Sequence, residues 1–86
     1  MGSGDNWKEL FENWPEGMPR QGILITSFQE TVPFMDFRIS EGILLLQRER
    51  PDTLNARKMM VSYESISALK FTDVDDISIY GELGFR

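Results

Sequence analysis

Four consecutive apolar residues, Ile43-Leu44-Leu45-Leu46, stand between the turn-forming pair Glu41-Gly42 and the polar Gln47-Arg48. The run has the length of a strand, and strand side chains alternate between two faces, so both faces here are apolar. Such a strand is buried on both sides or turns one face to an interface. The chain has 86 residues, enough for one domain. A domain of this size buries only about 60–65% of its unfolded surface, and small cores are usually reinforced by disulfides, a metal or oligomerisation. The sequence has neither cysteine nor histidine, which excludes the first and removes the best ligands for the second. Self-association is the remaining route.

Upstream, Trp7, Leu10, Phe11 and Trp14 fall at i, i+3, i+4 and i+7 and share one helical face. The spacing predicts a helix over about 6–14, capped by Asn6 with Glu9 three residues later and stopped by Pro15. So heavy an apolar face must pack on something, because a helix this short is unstable alone. It is either a lid on the domain's own core, the simpler reading, or a partner contact. Residues 1–4 read as a flexible leader or expression remnant, and residues 5–86 as a single domain.

From Gly22 the pattern becomes β. Strands are expected over Gly22–Phe28, Val32–Ser40, Ile43–Arg48, about Arg57–Glu64, Ala68–Phe71 and Ile77–Tyr80. In the second, Met35, Phe37 and Ile39 alternate with Asp36, Arg38 and Ser40, a period of two with one wet face. In the fourth, Met59, Val61 and Tyr63 share a face. A turn is expected at Gln29–Thr31, a loop at Arg50–Ala56, a bend at Ser65–Ser67 and an acidic turn at Asp73–Asp76. One helix followed by short strands with tight connections predicts a mainly β fold, a small, strongly bent antiparallel barrel of five to six strands over about 22–80.

Catalysis finds little to work with. The commonest general base and the strongest side-chain nucleophile are both missing, and the serines have no histidine to activate them. The acidic Asp73, Asp75 and Asp76 lack the EF-hand pattern. No glycine-rich phosphate loop is present. The chain therefore reads as non-enzymatic, with no cofactor and no metal. No apolar run approaches the roughly 20 residues that span a bilayer, and the N-terminus lacks a basic start followed by an apolar stretch. A cytoplasmic location and no membrane partner are expected. The net charge of −5 argues against general coating of nucleic acid.

A local basic group remains. Arg48, Arg50, Arg57 and Lys58 bracket the loop between strands three and four, where they either hold phosphates or simply solvate a hairpin. Phe34 stands beside Asp36 and Arg38 on the polar side of strand two. It is either a base-stacking platform or is covered by the helix or a neighbouring subunit.

A helix followed by a bent five-stranded meander resembles the Sm/LSm/Hfq family of ring-forming RNA-binding proteins. The local match is Met60-Val61-Ser62-Tyr63-Glu64-Ser65-Ile66-Ser67-Ala68-Leu69. It is similar to the second Sm motif of Hfq, in which a strand leads through a tyrosine-containing segment and a one-turn bend into a short apolar final strand. The first motif would correspond to Gly22–Leu46, and the resemblance spans roughly residues 5–71. It implies assembly, with the fourth strand of one subunit pairing with the fifth of the next, and this assigns Leu44, Leu46, Met60, Ser62, Ala68, Leu69 and Phe71 to a subunit interface. The family's RNA residues do not carry over. Ser40-Glu41-Gly42 stands where an Asp and Asn are found, and Glu64-Ser65 replaces the basic pair. The expectation is a homo-oligomer whose RNA contact, if present, uses the basic rim. The alternative is a protein-interaction or structural module with the same barrel and no RNA site.

Overall fold

The computed structural model describes residues 3–86. A helix, α1 (Ser3–Glu12), precedes five strands: β1 (Gly22–Thr26), β2 (Thr31–Ile39), β3 (Ile43–Arg48), β4 (Lys58–Ser62) and β5 (Ile66–Lys70). A 3-10 turn over Tyr63–Ser65 links β4 to β5, and a second 3-10 helix spans Ile77–Leu83. The strands form one antiparallel sheet in the order β4-β3-β2-β1-β5. The fold is mainly β with an N-terminal helix, as the patterning predicts.

Among the described residues no ladder joins β4 to β5, so the sheet is bent but open rather than a closed barrel. Its curvature is evident in the core. Val61 on one edge strand and Ile66 on the other belong to a single buried cluster with Leu24, Val32, Phe34, Phe37, Leu44 and Leu46, beneath Phe11 and Trp14. A flat sheet would keep its two edges apart.

β3 has the expected bounds, and its two faces differ. Leu44 and Leu46 are fully buried, whereas Ile43 is exposed and Leu45 half-buried. Within one chain, only one face of this apolar strand is sealed.

β2 departs from its expected single apolar face. Val32, Phe34 and Phe37 point into the core, while Met35 and Ile39 are exposed. The cause is a bulge: Phe34 pairs with Arg48 but Asp36 with the adjacent Gln47, so Met35 is an extra residue and the alternation changes phase there. The strand is also divided between partners, with residues 31–34 against β1 and 34–39 against β3. A second irregularity on the β1–β5 ladder, between Ile25 and Thr26, leaves Ser67 out of register.

α1 begins three residues earlier than expected, so Asn6 and Glu9 lie inside it rather than forming a cap. Of the supposed leader over 1–4, residues 1 and 2 fall outside the described residues, and Ser3 and Gly4 belong to the helix. Gly4 is buried against Glu64, a tertiary contact that holds the first turn in place of a side-chain cap. Asp5 in that turn suits the positive end of the helix. The helix stops ahead of Pro15, with the Asn13 amide donating to the Glu9 carbonyl at 3.0 Å. Its aromatic face packs inward. Phe11 and Trp14 stack with centroids 5.6 Å apart, and both meet Phe37 edge-on at 4.9 and 5.0 Å. The indole Nε1 of Trp14 donates to the Met18 carbonyl at 3.2 Å.

The remaining differences lie at strand ends. β1 stops at Thr26 rather than Phe28, because the Thr26 hydroxyl accepts the Glu30 amide at 3.0 Å and Gln29 takes a left-handed φ of 65° to close the turn. β4 stops at Ser62, and β5 starts at Ile66 rather than Ala68, because the one-turn bend occupies Tyr63–Ser65. The expected strand at Ile77–Tyr80 is helical instead. Its backbone closes locally, Ile79 donating to the Asp76 carbonyl at 3.2 Å, while Ser78 bonds the Asp76 carboxylate and Tyr80 that of Asp73. Among the described residues no helix is long and apolar enough to cross a membrane.

Candidate subunit interface and basic rim

The β3–β4 hairpin brings Arg48 and Arg57 opposite each other, the Arg48 amide donating to the Arg57 carbonyl at 2.8 Å. The loop between them is built by Asp52. Its Oδ1 accepts the amides of Leu54 at 2.8 Å and Ala56 at 2.9 Å, and Asn55 adopts φ 65°. These two bonds, the one from Ala56 foremost, hold the Asp52 carboxyl below its ordinary pKa.

Of the four expected cations, Arg50, Arg57 and Lys58 are exposed on this rim. Arg48 is not one of the group. Its side chain is 10% exposed, its Nε donates to the Arg50 carbonyl at 3.0 Å, and its Nη1 lies 4.0 Å from a Glu30 carboxylate oxygen. That Nη1 is buried without a hydrogen-bond partner, so the nearby Glu30 charge is what offsets it. Beside the hairpin base runs a cleft of about 970 Å³ walled by Gly22, Pro33, Arg48, Phe71 and Tyr80, with Asp73 and Asp75 also on its lining. Carboxylates beside the arginine oppose the approach of a phosphate chain.

Phe34 is 1% exposed. The bulge turns it into the core, where it meets Phe37 edge-on at 6.2 Å, so it cannot serve as a stacking platform. Leu44 and Leu46 are likewise core residues, buried under α1's own cluster, and their side chains do not reach an interface. The other five interface candidates lie on the edge strands or just beyond. Met60 is 70% exposed on β4. Ser62, half-buried, shares a 2.7 Å hydroxyl contact with Ser65. Ala68 stands opposite Ile25, and Leu69 opposite Leu24. Phe71, just past β5, lies between Trp14 at 5.7 Å and Tyr80 at 5.3 Å.

Both edges are open in the same way. Among the described residues, β4 is hydrogen-bonded only to β3, and β5 only to β1. The principal packing of α1 is with the Tyr63–Ser65 turn and β2. Leu24, Val32, Phe34, Phe37, Leu44 and Leu46 on the inner strands are sealed, but Met59, Leu69 and Phe71 at the edges are only half-buried against the core. Met59 was not among the sequence candidates. The signal for it was present, since it shares a strand face with Val61 and Tyr63.

The Asp73–Asp76 turn directs its carboxylates at its own chain. Asp73 accepts the Asp75 amide at 3.2 Å as well as the Tyr80 hydroxyl, and Asp76 accepts the Ser78 hydroxyl at 2.7 Å. Among the described residues no three acidic side chains converge as a metal site would require. What the arrangement offers chemically is backbone hydrogen bonding along two edges. The chain matches no family model, no curated protein and no solved structure.

Proposed function

We propose that this chain is a non-enzymatic, self-assembling module of the Sm/LSm/Hfq kind, in which the β4 edge of one copy pairs with the β5 edge of the next. The observation that carries this reading is the pair of unpaired edges at the two ends of one sheet. Different strands meet in such a contact, so it is head-to-tail, and it propagates, closing into a ring where the rotation allows it. Every internal edge is then satisfied. The 3-10 turn at Tyr63–Ser65 followed by β5 from Ile66 agrees with the resemblance to the second Sm motif, where a one-turn bend precedes the final strand.

Solution mass tests the reading. At tens of micromolar the expected species is a whole-number multiple of 10.0 kDa. A single species at 10.0 kDa overturns it.

RNA contact is the secondary part of the proposal, and it rests on the exposed Arg50, Arg57 and Lys58 around the hairpin rim. Titration with short uridine- or adenine-rich oligomers should give binding that weakens as salt rises. A flat titration at low salt removes RNA and leaves a protein-only assembly module.

A further inference from the structure

We infer that the two edges meet in one antiparallel register, with Val61 of β4 opposite Leu69 of the next copy's β5. The inference rests on assembly through these edges and adds which residues face one another.

Three observations select the register. First, a continuous sheet must match inward faces with inward faces. On β4 the inward residues are Met59 and Val61. On β5 they are Ile66 and Leu69, with Ala68 and Lys70 outward and Ser67 displaced by the irregularity. Placing Val61 against Leu69 sets Met59 against Phe71, Met60 against Lys70 and Ser62 against Ala68. Met59, Leu69 and Phe71 are the inward edge residues that a single chain leaves half-buried, and this register covers all three. Exposed Met60 gains the aliphatic stem of Lys70.

Second, both neighbouring face-matched alternatives fail. One slide puts Val61 against Phe71 and Leu69 against Tyr63, which lies in the 3-10 turn beyond the end of β4, and charge excludes the other. Sliding by two residues puts Met59 against Leu69, which sets Lys58 directly opposite Lys70 and Val61 opposite the displaced Ser67. Like charges in directly opposed positions destabilise a strand pair. Third, pairing β4 with a second β4 about Met60 would also match faces, but it leaves β5 open in every copy. The β4–β5 contact satisfies both edges with one interface.

The chain contains no cysteine, so introduced pairs report cleanly. Opposed residues on an antiparallel pair have Cα atoms about 4.5–5.5 Å apart, within the roughly 4.4–6.8 Å range that a disulfide spans. The full chain carrying Ser62→Cys with Ala68→Cys, oxidised by glutathione disulfide, should give a covalent ladder in steps of 10.0 kDa. Met60→Cys with Ala68→Cys should not, and Met60→Cys alone should not give a dimer. A ladder from the Met60/Ala68 pair instead overturns the register while edge assembly stands. A dimer from Met60→Cys alone replaces the contact with a β4–β4 pair. An oligomer that forms none of these links places the interface elsewhere and also overturns the register. A monomer at every concentration defeats the assembly reading as well, and native mass measured beside the ladder separates that failure from the others.

Discussion

Gly4 lies so close to Glu64 that a Cβ at position 4 would stand 2.7 Å from the Glu64 Cγ and 3.0 Å from its amide nitrogen. The first turn of α1 and the 3-10 turn between β4 and β5 are thus fitted to each other at a point where no side chain has room. Gly4→Ala gains about 1 kcal/mol of helix propensity, against an overpacking cost of about 1–3 kcal/mol. The net expectation is a loss of thermal stability, larger for Gly4→Val. Adding Glu64→Ala removes the Cγ clash and should shrink the loss in a melting experiment. An unchanged melting temperature in Gly4→Val would show that the helix start does not dock on this turn.

Phe37 is where the helix and sheet are joined. Its ring meets Phe11, Trp14 and Phe34, and the Arg20 guanidinium sits 4.5 Å over it. Phe37→Ala should cost about 3–5 kcal/mol, a large part of the roughly 5–15 kcal/mol that holds a typical domain together. Denaturant titration should show a much lower midpoint and weaker tryptophan dispersion. Met35→Ala, two positions away, should cost far less because Met35 is 53% exposed.

The tail offers a spectroscopic test. The Tyr80 hydroxyl donates to the Asp73 carboxylate, and losing its proton beside that charge is unfavourable, so its pKa is pushed up from 10.0 to about 12. Tyr63 is raised as well, first by burial, and its hydroxyl donates to the Ser40 carbonyl at 3.0 Å. These are the only two tyrosines, so phenolate absorbance should lag behind that of free tyrosine as alkali is added. For a group whose folded pKa is raised, the stabilising contribution is complete below the unfolded value of 10.0 and is lost as pH climbs toward 12. Asp73→Asn should return the Tyr80 titration toward 10.0. A titration unchanged by Asp73→Asn would show that the tail is not closed on the turn.

Acid acts on a different element. Asp52 is held below its ordinary pKa of 3.8 by the amides of Ala56 and Leu54, so its contribution is present above that value and lost as pH falls through the depressed one. The hairpin loop should loosen in acid before the sheet does. Amide exchange at Leu54 and Ala56 should rise at low pH, and Asp52→Asn should reduce that pH dependence. Equal exchange at these amides in wild type and Asp52→Asn across the acid range would remove Asp52 as the organiser.

Much of this fold is legible in the residues. β3 has the expected ends because Gly42 and the polar Gln47 bound an apolar run with nothing ambiguous inside it. The helix face was equally readable, since Trp7, Leu10, Phe11 and Trp14 repeat at helical spacing, and the core is where they go. A period of two carries no record of a bulge, so the pattern alone sets Phe34 on the wrong face. The pattern around Met35, Phe37 and Ile39 is regular in sequence, and only the pairing with β3 breaks it. The close approach of Gly4 to Glu64 leaves no local signature in the sequence beyond a glycine. The helical turn at Ile77–Leu83 was missed because its alternation suits a strand, while the bonds that decide it come from Asp73 and Asp76. Met60, Ser62, Ala68 and Leu69 fall within the motif-like stretch, and the structure places them on the edge strands β4 and β5. The removal of Arg48 into the sheet was not legible, because it depends on Glu30 across a turn.

The extra residue in β2 has a consequence for heredity. Deleting Met35 would be a small loss by composition, since the side chain is exposed. It would also leave Val32, Phe34 and Phe37 alternating regularly with Pro33, Asp36 and Arg38, so each core side chain keeps its face and only the local bend is lost. At this point the gene tolerates a change of length that would turn a regular strand inside out.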